Sequence, residues 1–243
     1  YGGAKTFFGL DNSSDIKLSF DYGITNKLSV GISRAKGATA IRQLIEGNFK
    51  YKLIEQTTND NVPISITLFG NAVVSTMQSN IKTNVPDYFS SFQDRWSFVA
   101  QAIIVRKFSP SFTLAFLPTY VHYNSVLKGD QNGTFALGAG GRLKFTKRMA
   151  VIADYFYAFK SKATLASYKA NGLNYYNHLG AGVEIETGGH VFQLCFMNST
   201  AVLENQFITY TTTSWLTGQF RWGFNFGRTF SLKKHLKSEA KKL

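Results

Sequence analysis

Apolar and polar residues alternate with a period of two along most of the chain. Ile16, Leu18, Phe20 and Tyr22 hold one parity, while Asp15, Lys17, Ser19 and Asp21 hold the other. The pattern returns in Ile45–Leu53, in Phe135–Leu143 against Ala136, Gly138, Gly140, Arg142 and Lys144, in Leu179–Ile185 against His178, Glu184 and Glu186, and in Phe220–Phe226. Successive side chains of a strand point to opposite faces, so sustained alternation means strands with one apolar and one polar face. The pattern predicts eleven strands, at 15–23, 28–34, 42–53, 63–76, 92–107, 112–123, 134–145, 149–158, 174–186, 190–198 and 218–230. Several exceed the five or six residues usual in globular proteins and match the roughly nine to eleven that a tilted membrane strand needs.

The connections alternate too. Residues 24–27, 108–111, 146–148 and 187–189 form short links, with 54–62 somewhat longer, whereas 35–41, 77–91, 124–133, 159–173 and 199–217 are long. Short turns on one rim and long loops on the other are the pattern of a membrane barrel. A soluble barrel such as a lipocalin also alternates, but turns its apolar face inward. Here the polar parity carries Asp15, Lys17, Asp21, Glu46, Lys50, Lys52, Arg95, Arg142, Lys144, Asp154, Glu184, Glu186 and Arg221, a near balance of signs. That suits a wet or ion-paired interior; a strongly selective pore would show one sign. The apolar parity places Phe20, Tyr22, Phe49, Tyr51, Trp96, Tyr155, Tyr157, Phe220 and Trp222 near strand ends, where membrane barrels carry aromatic girdles.

Composition sharpens the picture. Among 243 residues, aromatics reach 15% against four prolines, a bias towards strands. No run of about 18 apolar residues occurs, which excludes a transmembrane helix. The lone Cys195 allows no internal disulfide and sits mid-strand as a small buried residue. The net charge of +13 raises nucleic acid as a partner, but no nucleic-acid motif gathers the basic residues, and much of the excess lies in Lys233, Lys234, Lys237, Lys241 and Lys242. No nucleic-acid partner and no cofactor is expected. The chain opens on YGGAKTFFG without a basic and apolar leader, which implies a removed signal peptide or an N-terminus further upstream.

The expected architecture is therefore all-β: a transmembrane up-and-down antiparallel barrel over 1–230 with about twelve strands, since bacterial single-chain barrels have even numbers. Eleven are visible, and the remaining one belongs at the N-terminal side. Residues 231–243 form a short basic amphipathic tail, with Leu232 and Leu236 at helical spacing among Lys233, Lys234 and Lys237, as a handle for a periplasmic or outer-membrane partner. Trp222, Phe224, Phe226 and Phe230 form an even-spaced aromatic ending that looks like the signal read by the barrel assembly machinery.

Several segments resemble one family, the uncharacterised single-barrel outer-membrane proteins of Gram-negative bacteria, known only as a domain of unknown function. They are TFFGLDNSSDIKL at Thr6–Leu18, DYGITNKLSVGISR at Asp21–Arg34, ALGAGGRLKFTKR at Ala136–Arg148, EIETGGHVFQL at Glu184–Leu194, ENQFI at Glu204–Ile208 and RWGFNFGRTF at Arg221–Phe230. The resemblance spans nearly the whole chain, and EIETGGHVFQL is its most specific piece. It implies an outer-membrane barrel in contact with lipid and lipopolysaccharide, and supplies no activity and no catalytic residues. Members usually carry a further strand ahead of the TFFGLDN segment, and the basic extension after Phe230 departs from their usual ending.

Catalytic chemistry finds little support. His122, His178, His190 and His235 lie beside no recognisable nucleophile motif, so a surface hydrolase is the least favoured reading. His178, Glu184 and Glu186 share a parity, but an inward hydrogen-bonded ladder is the expectation rather than a metal site. ENQFI either folds back over the barrel mouth or stays an unstructured polar loop. Balanced interior charge and few strands favour a closed or narrow lumen, hence a structural or accessory barrel in a secretion, motility or uptake assembly. A narrow channel for small solutes is the alternative.

Overall fold

The computed structural model describes residues 15–36, 39–83 and 85–231. Eleven antiparallel strands form one sheet in sequence order: β1 (Lys17–Gly23), β2 (Leu28–Ala35), β3 (Leu44–Ile54), β4 (Ser65–Ser75), β5 (Trp96–Lys107), β6 (Phe112–Tyr123), β7 (Gly133–Lys144), β8 (Met149–Ala158), β9 (His178–Thr187), β10 (His190–Met197) and β11 (Arg221–Arg228). Every ladder joins sequence neighbours, as an up-and-down meander requires. With an odd count, β1 and β11 run the same way, and among the described residues no ladder joins them. One further strand between them would be antiparallel to both. The expected N-terminal strand falls outside the described residues.

The faces sort as the alternation predicts. Trp222, Phe224 and Phe226 are 68%, 73% and 56% exposed, and Phe20, Ile32, Phe49, Leu137 and Leu194 are exposed with them. The opposite parity holds the buried Ser33, Glu46, Asn71, Ser97, Thr119, Thr134 and His178. A contiguous apolar face on this scale, opposite a face that buries these polar side chains, fits lipid and not water. Aromatic pairs mark both rims. Trp96–Phe98, Tyr120–Phe135, Tyr157–Phe159 and Phe196–Phe220 lie towards the long loops, and Phe108–Phe112 and Phe192–Phe226 towards the short turns.

The short turns share one local device. The hydroxyls of Thr25, Ser109 and Thr146 each accept from the backbone N–H groups two and three residues on, closing the turns at 24–27, 108–111 and 145–148. The link between β9 and β10 is tighter. Gly188 and Gly189 adopt φ values of 53° and 121°, a left-handed geometry that a two-residue hairpin demands and glycine supplies freely. Outward aromatic rings also cover glycines on neighbouring strands: the Phe49 ring lies where a side chain at Gly70 would be, and the Tyr120 ring does the same at Gly133.

The structure departs from the pattern at strand ends and in two loops. The strand expected from 92 begins only at Trp96, because Asp94 accepts from the Ser90 hydroxyl and the Ser91 N–H and bends 93–95 into a 3-10 turn. The ninth strand begins at His178 rather than 174, and the last ends at Arg228, so Phe230 lies beyond it. Within 159–177, Ser161 caps a helix, α1 (Lys162–Ala170), by accepting from the Thr164 N–H. Within 198–220 a second helix, α2 (Glu204–Thr209), forms over the ENQFI segment.

Candidate functional site

The interior divides along the barrel axis. On β7 the inward side chains of Thr134 and Ala136 are buried, while those of Arg142 and Lys144 at the turn end keep partial exposure. On β5 the sequence runs from buried Ser97 and Val99 to half-buried Gln101, Ile103 and Val105, and on β6 from buried Tyr123, Val121 and Thr119 to half-buried Leu117, Ala115 and Thr113. The loop-side half is filled and the turn-side half is open, so the interior is a cup.

The filling is α2 and its flanks. Ile208 is fully buried against Val99, Val121, Tyr123, Ala136 and Phe156, and Leu203 packs with Ala35, Leu44 and Val73. Phe207 lies 4.6 Å from the His178 ring and 5.6 Å from the Phe156 ring, centre to centre. Polar pins fix the helix sideways. Asn205 Nδ2 donates to Ser97 Oγ at 2.7 Å, and Gln206 Nε2 donates to Thr39 Oγ1 at 2.9 Å and to the Ile41 carbonyl at 2.8 Å. These partners come from β2 through β9 and from the link at 36–43, so the sheet curls around the helix. Of the two fates open to ENQFI, folding back is the one realised, and it enters the lumen rather than lying over it. The signal was the sequence itself: Phe207 and Ile208 are apolar at neighbouring positions, and Asn205 and Gln206 suit a buried polar contact.

The remaining loops close over this plug. Tyr168 Oη donates to the Thr209 carbonyl at 3.3 Å, Tyr175 Oη to the Ile208 carbonyl at 2.7 Å, and the Tyr176 N–H to the Thr211 carbonyl at 2.9 Å. Asn198 Nδ2 donates to the carbonyls of Asn177 and Thr213 at 2.9 and 3.0 Å. Lys160 sits over the rings of Tyr175 and Tyr210 at 5.5 and 5.6 Å. Burial pulls its ammonium below the ordinary lysine range, and Asp130 partly offsets this. Glu204, at the inner end of α2, belongs to the loop and not to a spanning strand. Burial pushes its carboxyl above the ordinary range; Lys17 and Lys50 oppose the shift and Glu46 adds to it.

The predicted inward charges form two clusters. Near the loop side, Glu46 is 1% exposed and accepts from Lys17 Nζ at 2.8 Å, Ser33 Oγ at 2.6 Å and Asn71 Nδ2 at 2.8 Å. Near the turn side, Glu184 accepts from Arg142 at 2.6 and 2.8 Å and from Gln193 Nε2 at 2.8 Å, and Lys144 lies 3.4 Å from Glu186. Both ion pairs bridge strands next but one, over β2 and β8, where Ala35 and the fully covered Ala150 leave room. His178 Nε2 lies 3.0 Å from Asp154 Oδ2, apart from the two glutamates, which Arg142 and Lys144 engage. Asp21 flanks Gly31 beside Asn48, Lys50 is exposed, and Asp15 precedes β1 within electrostatic reach of Lys36, Arg42 and Arg221.

One lumen assignment fails. Arg95 lies in the 3-10 turn at the rim, not on a strand, donates to the carbonyls of Ser75 and Met77, and stacks over Phe89. The turn set by Asp94 takes it out of the period-two register. Of the aromatic ending, Trp222, Phe224 and Phe226 share the outer face of β11, and Arg228 folds over the Phe230 ring at 4.7 Å. The tail residues Leu232, Lys233, Lys234, Leu236 and Lys237 lie outside the described residues.

A family model described as a membrane bound beta barrel domain, of unknown function, matches residues 1–230. No curated protein matches the chain.

Proposed function

The chain belongs to this family of membrane-bound β-barrel domains, and from that premise we propose that it is an outer-membrane barrel closed by its own last loop. It serves as a structural or accessory component of a cell-envelope assembly rather than as a free-diffusion pore. One observation carries this reading: α2 lies inside the loop-side half, with Leu203 and Ile208 fully buried, Asn205 bonded to the wall at Ser97 and Gln206 to the 36–43 loop. An interior packed to that degree leaves no continuous water path. The paired charges at both levels agree, because a strongly ion-selective pore would leave charge of one sign facing the path. The long loops then face outside and the short turns the periplasm, by the convention of such barrels.

A narrow transporter is the second reading, and the cup favours it: the turn-side half is already open and lined by Arg142, Lys144, Glu184 and Gln193. Planar-bilayer recordings separate the two. The intact barrel is expected to be silent, and deletion of 204–209 is expected to produce steady conductance steps. Conductance of the intact protein at ordinary voltages would overturn the closed-barrel reading in favour of the transporter.

A further inference from the structure

The loop-side surface carries a cavity of about 460 Å³. We propose that this cavity is a binding site for a small neutral amphipathic molecule, with an apolar ring at one end and hydroxyl groups at the other. All five long loops contribute to its lining: Ile41 from 36–43, Tyr88 from 76–95, Leu127 from 124–132, Tyr168 and Leu173 from 159–177, and Tyr210 from 198–220. The size falls in the range of ligand pockets, roughly 300–1,000 Å³, whose walls are mostly apolar with a few placed polar groups.

The cavity is built before any ligand arrives, since its loops are pinned to one another. Asn124 Nδ2 donates to the Gln93 carbonyl at 2.8 Å, Ser161 N to Gln131 Oε1 at 2.7 Å, Tyr168 Oη to the Thr209 carbonyl, and Gln206 to the Ile41 carbonyl. Preorganisation of this kind removes the ordering cost that a mobile mouth would impose on binding. The ligand class follows from the lining. Tyr88, Tyr168 and Tyr210 offer flat faces, and Leu127 and Leu173 add aliphatic cover. Polar contacts come from Asn171, Thr200 and Thr212, which both donate and accept, as hydroxyl groups do. The two formal charges, Lys128 and Asp130, cancel, so the site holds no net attraction for an ion. Lys160 already places one cation against the Tyr210 ring, which disfavours a second. Its floor is the plug-bearing loop, because Tyr210 ends α2 and Thr200 and Thr212 flank it.

The test uses the whole folded barrel in detergent micelles and 4-nitrophenyl β-D-glucopyranoside as the probe, by equilibrium dialysis against empty micelles. Saturable uptake of one probe per chain is expected. Leu173→Trp and Leu127→Trp, which fill the cavity, should each weaken uptake at least tenfold, while Leu165→Trp on the outer side of α1 should leave it unchanged. Uptake that only tracks detergent, or that survives both filling variants in folded barrels, overturns the site. Photolabelling of the unaltered protein with the 4-azidophenyl analogue needs no variant. Adducts on Tyr168, Tyr210 or their neighbours in the cavity support the site, and adducts confined to the outer wall or the turn side overturn it. None of these readouts depends on whether the lumen conducts.

Discussion

The two halves of the interior follow the same alternation and end differently. At the loop side, Val121, Ala35 and Ile208 are at 0% exposure and the wall carboxylate of Glu46 is covered. At the turn side, Glu186 is 49% exposed near the rim, and Ala115 and Thr113 are only half-buried. The strands are identical in kind through both halves. What differs is the last long loop, which folds inward and gives the loop side a hydrophobic core that a membrane barrel otherwise lacks. Strand pattern alone therefore sets which parity faces inward, and a separate segment decides whether that space is protein or water.

The sharpest way to break this contrast is to place one charge at matched inward positions of β6. Val121→Lys puts an ammonium among the apolar Val99, Ile208 and Phe156, and a buried unpaired charge costs several kcal/mol, about 3–5. Ala115→Lys puts the same group where its head reaches water, with an expected cost under about 0.5 kcal/mol. Urea unfolding in lipid vesicles should show the first losing most of its folded population and the second resembling the parent. Equal costs would mean that both halves are packed, or both wet.

A second contrast lies in the two ion-pair clusters. Lys17→Ala strips the ammonium from a carboxylate that is 1% exposed, leaving Ser33 and Asn71 to carry the charge, and should cost about 3 kcal/mol, the low side of the range for broken buried pairs because Lys17 itself is a quarter exposed. Arg142→Ala removes the partner of Glu184 in a half that water reaches, where Gln193 keeps its bond and the loss should stay under about 1 kcal/mol. Raising the salt concentration should shrink the Arg142 effect and leave the Lys17 effect nearly intact. The same unfolding assay, run at two ionic strengths, checks both statements.

The barrel was legible because membrane strands need only one rule, and residues such as Leu137, Gly138 and Ala139 obey it without exception. Arg95 was misplaced because the rule ends where a short polar side chain competes for the backbone: Asp94 holds the Ser90 hydroxyl and Ser91 N–H, and no period-two reading registers that bond. The plug was half legible. Its segment stood out, but a helix of six residues has no amphipathic period long enough to declare itself, and its stability comes from wall residues such as Ser97 and Val121 that lie far off in sequence. The mouth cavity was not legible at all, since its walls come from five separate loops whose contacts, such as Tyr168 to Thr209, exist only after the barrel has closed the distance between them.

The mildest effect expected is that of pH on the plug, and Glu204 carries it. Its carboxyl is raised in the docked helix by burial, and a group whose docked pKa exceeds its free value holds its proton more tightly when docked. Docking is therefore favoured most below the ordinary value of 4.5 and weakens as pH rises through the raised one. The charged groups facing it are Lys17 on β1 and Glu46 and Lys50 on β3; further along α2, Phe207 touches His178, which pairs with Asp154. His178 also touches the helix through Phe207, so a contribution from the wall needs separation from that of Glu204. Glu204→Gln keeps the helix neutral at every pH and leaves His178 in place. Hydrogen exchange over 203–210, corrected for intrinsic rates, should show stronger protection at pH 5 than at pH 8 in the parent and a flat profile in Glu204→Gln. A pH dependence that survives Glu204→Gln and disappears in His178→Gln would assign the effect to the wall and not to the plug.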